Sequence, residues 1–252
     1  MSEDFERRLA IAQALGRTRR LRECALACEA LCVESPADVR AWRLLAWARF
    51  EAGSLDGAIE AASRALALDA TDVDSLRVLG RARARTAALD AAIEALSRVA
   101  TLARSRPDDD GEDEARLARV CASSEAHRDE AAKRVREAVI SPHTSARALH
   151  QWLRAAGSLA LEAHSERFAR ALLERAPDDP YFRASVASAM ARLGRHDEAR
   201  AHATAAIAMA PNNVLAWTVR ALACARLGLD EEHRECEQAL RSARRAKREP
   251  HA

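Results

Sequence analysis

Apolar residues recur in three- and four-residue steps along nearly the whole chain, the spacing of amphipathic helices rather than of alternating strands. Marker residues also return at a fixed interval of 34: Leu55 and Leu89, Ala58 and Ala92, Ile59 and Ile93, Trp42 and Leu76. Towards the end the same interval links Pro177 to Pro211, Arg183 to Trp217 and Gly194 to Gly228. Each unit predicts two helices. In 39–72, Trp42, Leu45, Ala46 and Arg49 share one helical face, Gly53 and Ser54 break the helix, and Leu55, Ala58, Ile59, Ala62, Ala65 and Leu66 begin the next stripe.

Extending the interval places units at 5–38, 39–72 and 73–106, then at 112–145, 146–179, 180–213 and 214–247. The two series are out of phase by five residues, Pro107, Asp108, Asp109, Asp110 and Gly111. This acidic, turn-forming insertion predicts a surface loop and a candidate joint between an N-terminal block, 1–106, and a C-terminal block, 112–247. Asp230 to Arg248 carries charge on all but a narrow apolar stripe, as a terminal helix with no neighbour on its outer side requires. The tail 248–252 is expected to fray.

Composition supports an all-α reading. The 252 residues are 49% apolar but only 4% aromatic, and 8 Gly with 7 Pro are too few for the turns of a many-stranded sheet. Forty basic residues face 38 acidic ones, a net charge of +2, so bulk charge draws the chain neither to nucleic acid nor to membrane. Of the basic residues only Lys133 and Lys247 are lysine, which makes any single arginine weak evidence of function. Charges crowd Met1 to Arg8 and no apolar stretch approaches the ~18 residues of a membrane span. A cytoplasmic location with the 6 cysteines reduced is expected.

The segment AWRLLAWARFEAGSLDGAIEAASRALALDATD combines a Trp opener, Leu-Ala, a turn Gly, Asp-Gly-Ala-Ile and Arg-Ala-Leu; ARLGRHDEARAHATAAIAMAPNN and its successor from Val214 match it. This pattern resembles the tetratricopeptide repeat family. The resemblance implies an all-α fold, a right-handed α-α superhelix or solenoid of about seven helix pairs. It also implies a non-enzymatic scaffold or adaptor whose inner surface holds a segment of another protein. Small residues at Ala46, Gly80, Ala187 and Ala221 let paired helices approach closely, whereas Arg119 and Leu153 stand in such slots and the first unit carries an extended turn around Gly16 to Arg20. The Lys and Asn clamp with which some members grip acidic chaperone C-termini is not matched, because no Asn precedes Asn212 and one Lys alone precedes Lys247. A nucleic-acid-binding solenoid and an accessory subunit of a separately encoded enzyme are the competing classes.

Cys24, Cys28 and Cys32 form a stripe along one helix. Its outer thiols stand roughly 12 Å apart at 1.5 Å per residue, too far for one metal, so the three are read as buried small hydrophobes. His127, His143, His150, His164, His196, His202 and the pair His233 and Cys236 make no ligand or dyad spacing. Asp108 to Asp113 fails the EF-hand count, since Arg106 and Leu117 fall where ligands belong. No glycine-rich phosphate loop occurs. The segment AIAQALGRTRRLRECALA mimics a helix-turn-helix but stays in repeat phase, which does not favour nucleic acid. No cofactor, no metal and no catalytic activity are expected.

At 100° per residue Arg40, Arg43, Trp47 and Phe50 share one sector, opposite the packing face. Arg77, Arg81 and Arg85 align at four-residue steps in the next unit, and Arg147, His150 and Arg154 repeat the arrangement beyond the insertion. In the family that these units resemble, such places line the concave groove. That implies a basic channel with Trp47 and Phe50 as apolar anchors, suited to an acidic peptide with one or two hydrophobic residues.

Overall fold

A computed structural model describes residues 3–103 and 109–248, and of 243–248 the helical backbone alone. The described residues form 14 α-helices and one single-turn 3-10 helix at Glu125–His127, with no strand. The fold is an all-α solenoid of helix pairs. It divides into two compact units, Met1–Asp109 and Asp110–Ala252.

The first unit holds α1 (Glu3–Arg17), α2 (Leu21–Glu34), α3 (Val39–Glu51), α4 (Leu55–Leu68), α5 (Val73–Arg85) and α6 (Leu89–Ala103). Each helix packs on the next, and the odd-numbered helices also touch one another, α1 on α3 and α3 on α5. Its core runs through Phe5, Leu9, Leu31, Leu45, Phe50 and Leu79. The second unit holds α7 (Glu112–Cys121), α8 (Arg128–Glu137), α9 (Ala146–Ser158), α10 (Glu162–Arg175), α11 (Pro180–Arg192), α12 (His196–Met209), α13 (Val214–Leu227) and α14 (Asp230–Arg248). Leu117, Leu149, Leu153, Phe168 and Leu172 are its large buried side chains, and the Trp152 and Phe168 rings stack at 5.9 Å.

The 34-residue period governs the helix ends as well as the faces. Asp38 and Asp72 in the first unit, and Ser145, Asp179 and Asn213 in the second, each cap an odd-numbered helix by accepting backbone N–H groups of its first turn. The inter-helix turn places one residue in the left-handed region at the same interval: Arg19, Gly53 and Ala87, then Ala160, Gly194 and Gly228. Close approach explains the small residues at helix crossings. A Cβ built on Gly80 would meet Leu96 Cγ at 2.7 Å.

No extended turn occurs at Gly16 to Arg20: α1 continues through Gly16, which is small because the Trp47 indole passes 2.8 Å from where its Cβ would lie, and Arg19 takes the ordinary turn position. Of the insertion, Pro107 and Asp108 lie outside the described residues, as does the tail beyond Arg248. In its remainder, Gly111 precedes α7 at φ 75° and the Asp110 carboxylate accepts the Glu112 N–H at 3.0 Å.

All six cysteines are buried and unpaired. Burial pushes the Cys32 thiol up to about 12 and that of Cys121 up to about 11, and it raises Cys28 further, helped by Cys24 and Cys32. Among the described residues no cluster of His, Cys, Asp and Glu could hold a metal ion, and no helix is long and apolar enough to cross a membrane.

Candidate functional site

A cavity of about 430 Å³ opens in the first unit across α1, α3 and α5, lined by Gln13, Arg40, Arg43, Leu44, Trp47, Asp74, Arg77, Val78 and Arg81. Leu44, Trp47 and Val78 supply its apolar part and four guanidiniums with the Asp74 carboxylate its charged part. Five of the residues singled out in the sequence, Arg40, Arg43, Trp47, Arg77 and Arg81, therefore meet in one place. Gln13, Leu44, Asp74 and Val78 were missed, although the repeat carried the signal. Gln13, Trp47 and Arg81 stand 34 apart in turn, as do Leu44 and Val78, and Arg40 and Asp74. Equivalent positions of successive helix pairs thus form the walls.

The channel is not uniformly basic, because carboxylates accompany the arginines. Arg40 donates to the Asp38 cap at 2.7 Å and to Glu6 at 2.9 Å. The hydrogen bond from Arg40 holds the Asp38 carboxyl below its ordinary value, and Asp38 with Glu6 raises that of Arg40. Arg43 lies 3.3 Å from the Asp72 cap and 3.7 Å from Asp74, Arg77 lies 3.2 Å from Asp74, and Arg81 lies 3.7 Å from Glu51. These cations are about one-third exposed, so each pairing is solvent-screened and worth little on its own. A carboxylate arriving from outside can replace one of them at small cost.

Phe50 does not offer an exposed anchor. It is 2% exposed, in the core of the unit, with the Arg81 and Arg85 guanidinium carbons 4.4 and 4.6 Å from its ring centre. Its sector faces away from the partner helix α4, but α5 packs on α3 and covers this side of it. Trp47 remains half-exposed beside the cavity. Arg49, assigned to the packing face, is half-buried and ties three helices together, donating to Glu29 on α2 and to the Gly57 carbonyl on α4.

Arg147, His150 and Arg154 lie on α9 of the second unit. Arg147 and Arg154 are exposed, while His150 is buried with its ring 5.1 Å from Tyr181 and 5.5 Å from Phe182. Burial, then the charges of Arg154 and Arg119, push His150 down to about 4, so its imidazole is neutral at physiological pH.

A family model described as tetratricopeptide repeat matches residues 9–73, 165–214 and 187–249. No curated protein matches in sequence. Similar solved structures include a tetratricopeptide repeat protein from Parabacteroides merdae, 13% identical over 96% of this chain and 94% of that one, with a TM-score of 0.72. The Cut9-Hcn1 hetero-tetramer of the APC/C aligns at TM-score 0.63 and 16% identity over 86% of this chain and 42% of the other. PilW, a widely conserved type IV pilus biogenesis factor, aligns at 0.58 and 12% over 96% and 94%. With its 34-residue helix pairs, its small residues at the crossings and a family match over more than half its length, the chain belongs to the tetratricopeptide repeat family.

Proposed function

We propose that the chain is a non-enzymatic interaction scaffold that holds a segment of a partner protein in the cavity of its first unit. The observation that carries this reading is the cavity itself, where the half-exposed Trp47 and the side chains of Leu44 and Val78 lie among Arg40, Arg43, Arg77 and Arg81. An apolar side chain of the partner enters beside Trp47, and flanking carboxylates exchange for Asp74 or Glu51 on the arginines. An arginine fork gives such an exchange its geometry, and removal of Trp47 from water supplies most of its energy. Buried, unpaired thiols agree with work in a reducing compartment such as the cytoplasm.

A peptide display library selected on the whole chain tests this. The expected consensus has one or two bulky apolar residues flanked by Asp or Glu, and Trp47→Ala should abolish the enrichment while leaving helix content unchanged. Basic consensus sequences, or acidic ones that Trp47→Ala still enriches, would overturn the reading.

A further inference from the structure

Arginines of this chain meet carboxylates, as Arg116 meets Glu112, or backbone carbonyls, as Arg183 meets that of Pro177, whereas three on neighbouring helices show neither contact among the described residues. Arg119 on α7, Arg154 on α9 and Arg192 on α11 come from three helices of which the middle one packs on both others. Arg119 stands in a slot that takes a small residue at Ala46, Gly80, Ala187 and Ala221; its side chain is half-buried, and its Nε is buried without a hydrogen-bond partner. The Arg192 guanidinium lies over Gly157 of α9, within 3.0 to 3.3 Å of where a Cβ would stand, a seat that glycine leaves open. Arg154 lies one turn before Gly157 on α9 and acts electrostatically on both of the others.

No carboxylate among the described residues pairs with any of the three. Arg116, the other arginine near Arg119, is paired with Glu112. Asp179, whose charge acts on His150, is engaged in accepting the Tyr181 and Phe182 N–H groups at 2.8 and 3.0 Å. Loss of water, then the charges of Arg154 and Arg116, bring Arg119 down to about 10, and Arg192 is held low by loss of water and by Arg154. The cluster is thus a standing repulsion that a bound anion would relieve.

We infer that Arg119, Arg154 and Arg192 form a docking site for a phosphate monoester carried by a partner protein, with the exposed Tyr181 at its edge. Arg119 is half-buried while Arg154 and Arg192 are exposed, and a single carboxylate would leave two of the three cations uncompensated, whereas a phosphate of about two negative charges neutralises most of them and presents three oxygens to guanidinium forks. The proposal rests on the scaffold reading but uses residues on α7, α9 and α11 rather than the cavity beside Trp47.

The test is titration calorimetry of the whole chain with a phosphoserine pentapeptide, its serine and glutamate counterparts, inorganic phosphate and poly(U). The phosphopeptide should bind at least tenfold more tightly than either counterpart or inorganic phosphate, and phosphorus NMR should show its second pKa falling on binding. Arg154→Ala and Arg192→Ala should each weaken it tenfold or more without lowering the thermal midpoint of the ligand-free protein, since each removes a repelling charge. Trp47→Ala should leave phosphopeptide binding intact, which separates failure of this site from failure of the first-unit cavity. Equal binding of all three peptides, preference for poly(U), binding no tighter than that of inorganic phosphate, or indifference to both arginine substitutions would each overturn the proposal.

Discussion

The Arg81 guanidinium carbon lies 4.4 Å from the centre of the Phe50 ring, so a cation on α5 roofs an aromatic residue of α3 that is buried in the core. Arg81 also lines the cavity and faces Glu51. One side chain thereby joins packing to the surface offered to a partner. Phe50→Ala should cost about 3–5 kcal/mol through the void it leaves, and urea denaturation should show it unfolding the first unit rather than selectively impairing binding. Arg81→Met, which keeps the covering stem but removes the charge, should cost about 1 kcal/mol or less while reducing affinity for acidic peptides. Equal stability of Phe50→Ala and the parent would contradict the burial of that ring.

The left-handed turn position offers an independent check on the period. Gly53, Gly194 and Gly228 take it without strain, whereas Arg19, Ala87 and Ala160 hold φ of 62, 60 and 54° with a Cβ present. Relief of that strain amounts to about 1 kcal/mol, against the entropy that glycine adds to the unfolded chain. Ala87→Gly and Ala160→Gly should therefore be neutral or stabilising by up to about 1 kcal/mol, and Gly194→Ala destabilising by about 1 kcal/mol. Thermal midpoints moving in the reverse order would place the turn in another conformation.

The contrast between Leu45 and Phe50 shows what was legible in the chain. Leu45, Ala46 and Gly80 could be read as packing residues because one helix and its partner decide their burial, and the 34-residue interval carries the rest of the fold. Phe50 could not, because a third helix buries it and a wheel drawn on one helix contains no third neighbour. Trp47 and Arg81 were legible as groove residues, Trp47 from its sector on one helix and Arg81 from the four-residue steps on the next. The carboxylates beside the arginines were not, since Asp38 and Asp72 act first as helix caps and Glu6 and Glu51 reach their partners across helices. Arg119 was visible as an intruder in a small slot, but its lack of an acidic partner is a property of three helices together.

The cysteines should be inert in the folded state. A thiol attacks as thiolate, and burial raises every one of the six above its ordinary value, to about 12 at Cys32 and about 11 at Cys121 and Cys236. Reaction with an aromatic disulfide at pH 8 should be slow in buffer and release six equivalents in urea. Below about pH 9 the thiols are neutral whether folded or not, and above it the unfolded chain ionises first, so stability should fall as pH rises from about 9 towards 12. Rapid reaction of one thiol in buffer would show an accessible site.

The sign reverses for His150. Its folded value of about 4 lies below the ordinary 6.5, so the neutral ring's contribution is fully present above pH 6.5 and lost as pH falls towards 4, where the unfolded chain takes the proton first. The difference corresponds to about 3 kcal/mol between the two ends of that window. His164 and His202 are lowered as well, both chiefly by burial, so the wild-type slope is a sum that no single curve resolves. His150→Phe isolates one part, because phenylalanine keeps a ring against Tyr181 and Phe182 but cannot be protonated. Denaturation at pH 7 and at pH 4.5 should show the variant losing about 2–3 kcal/mol less than the parent on acidification, whatever its stability at pH 7. Arg154→Ala should narrow the same gap from the other side, by removing the cation that most disfavours the imidazolium. If parent and variant lose stability equally between those pH values, His150 is hydrated in the folded protein and the packing of α9 on α11 around it is looser than the ring distances require.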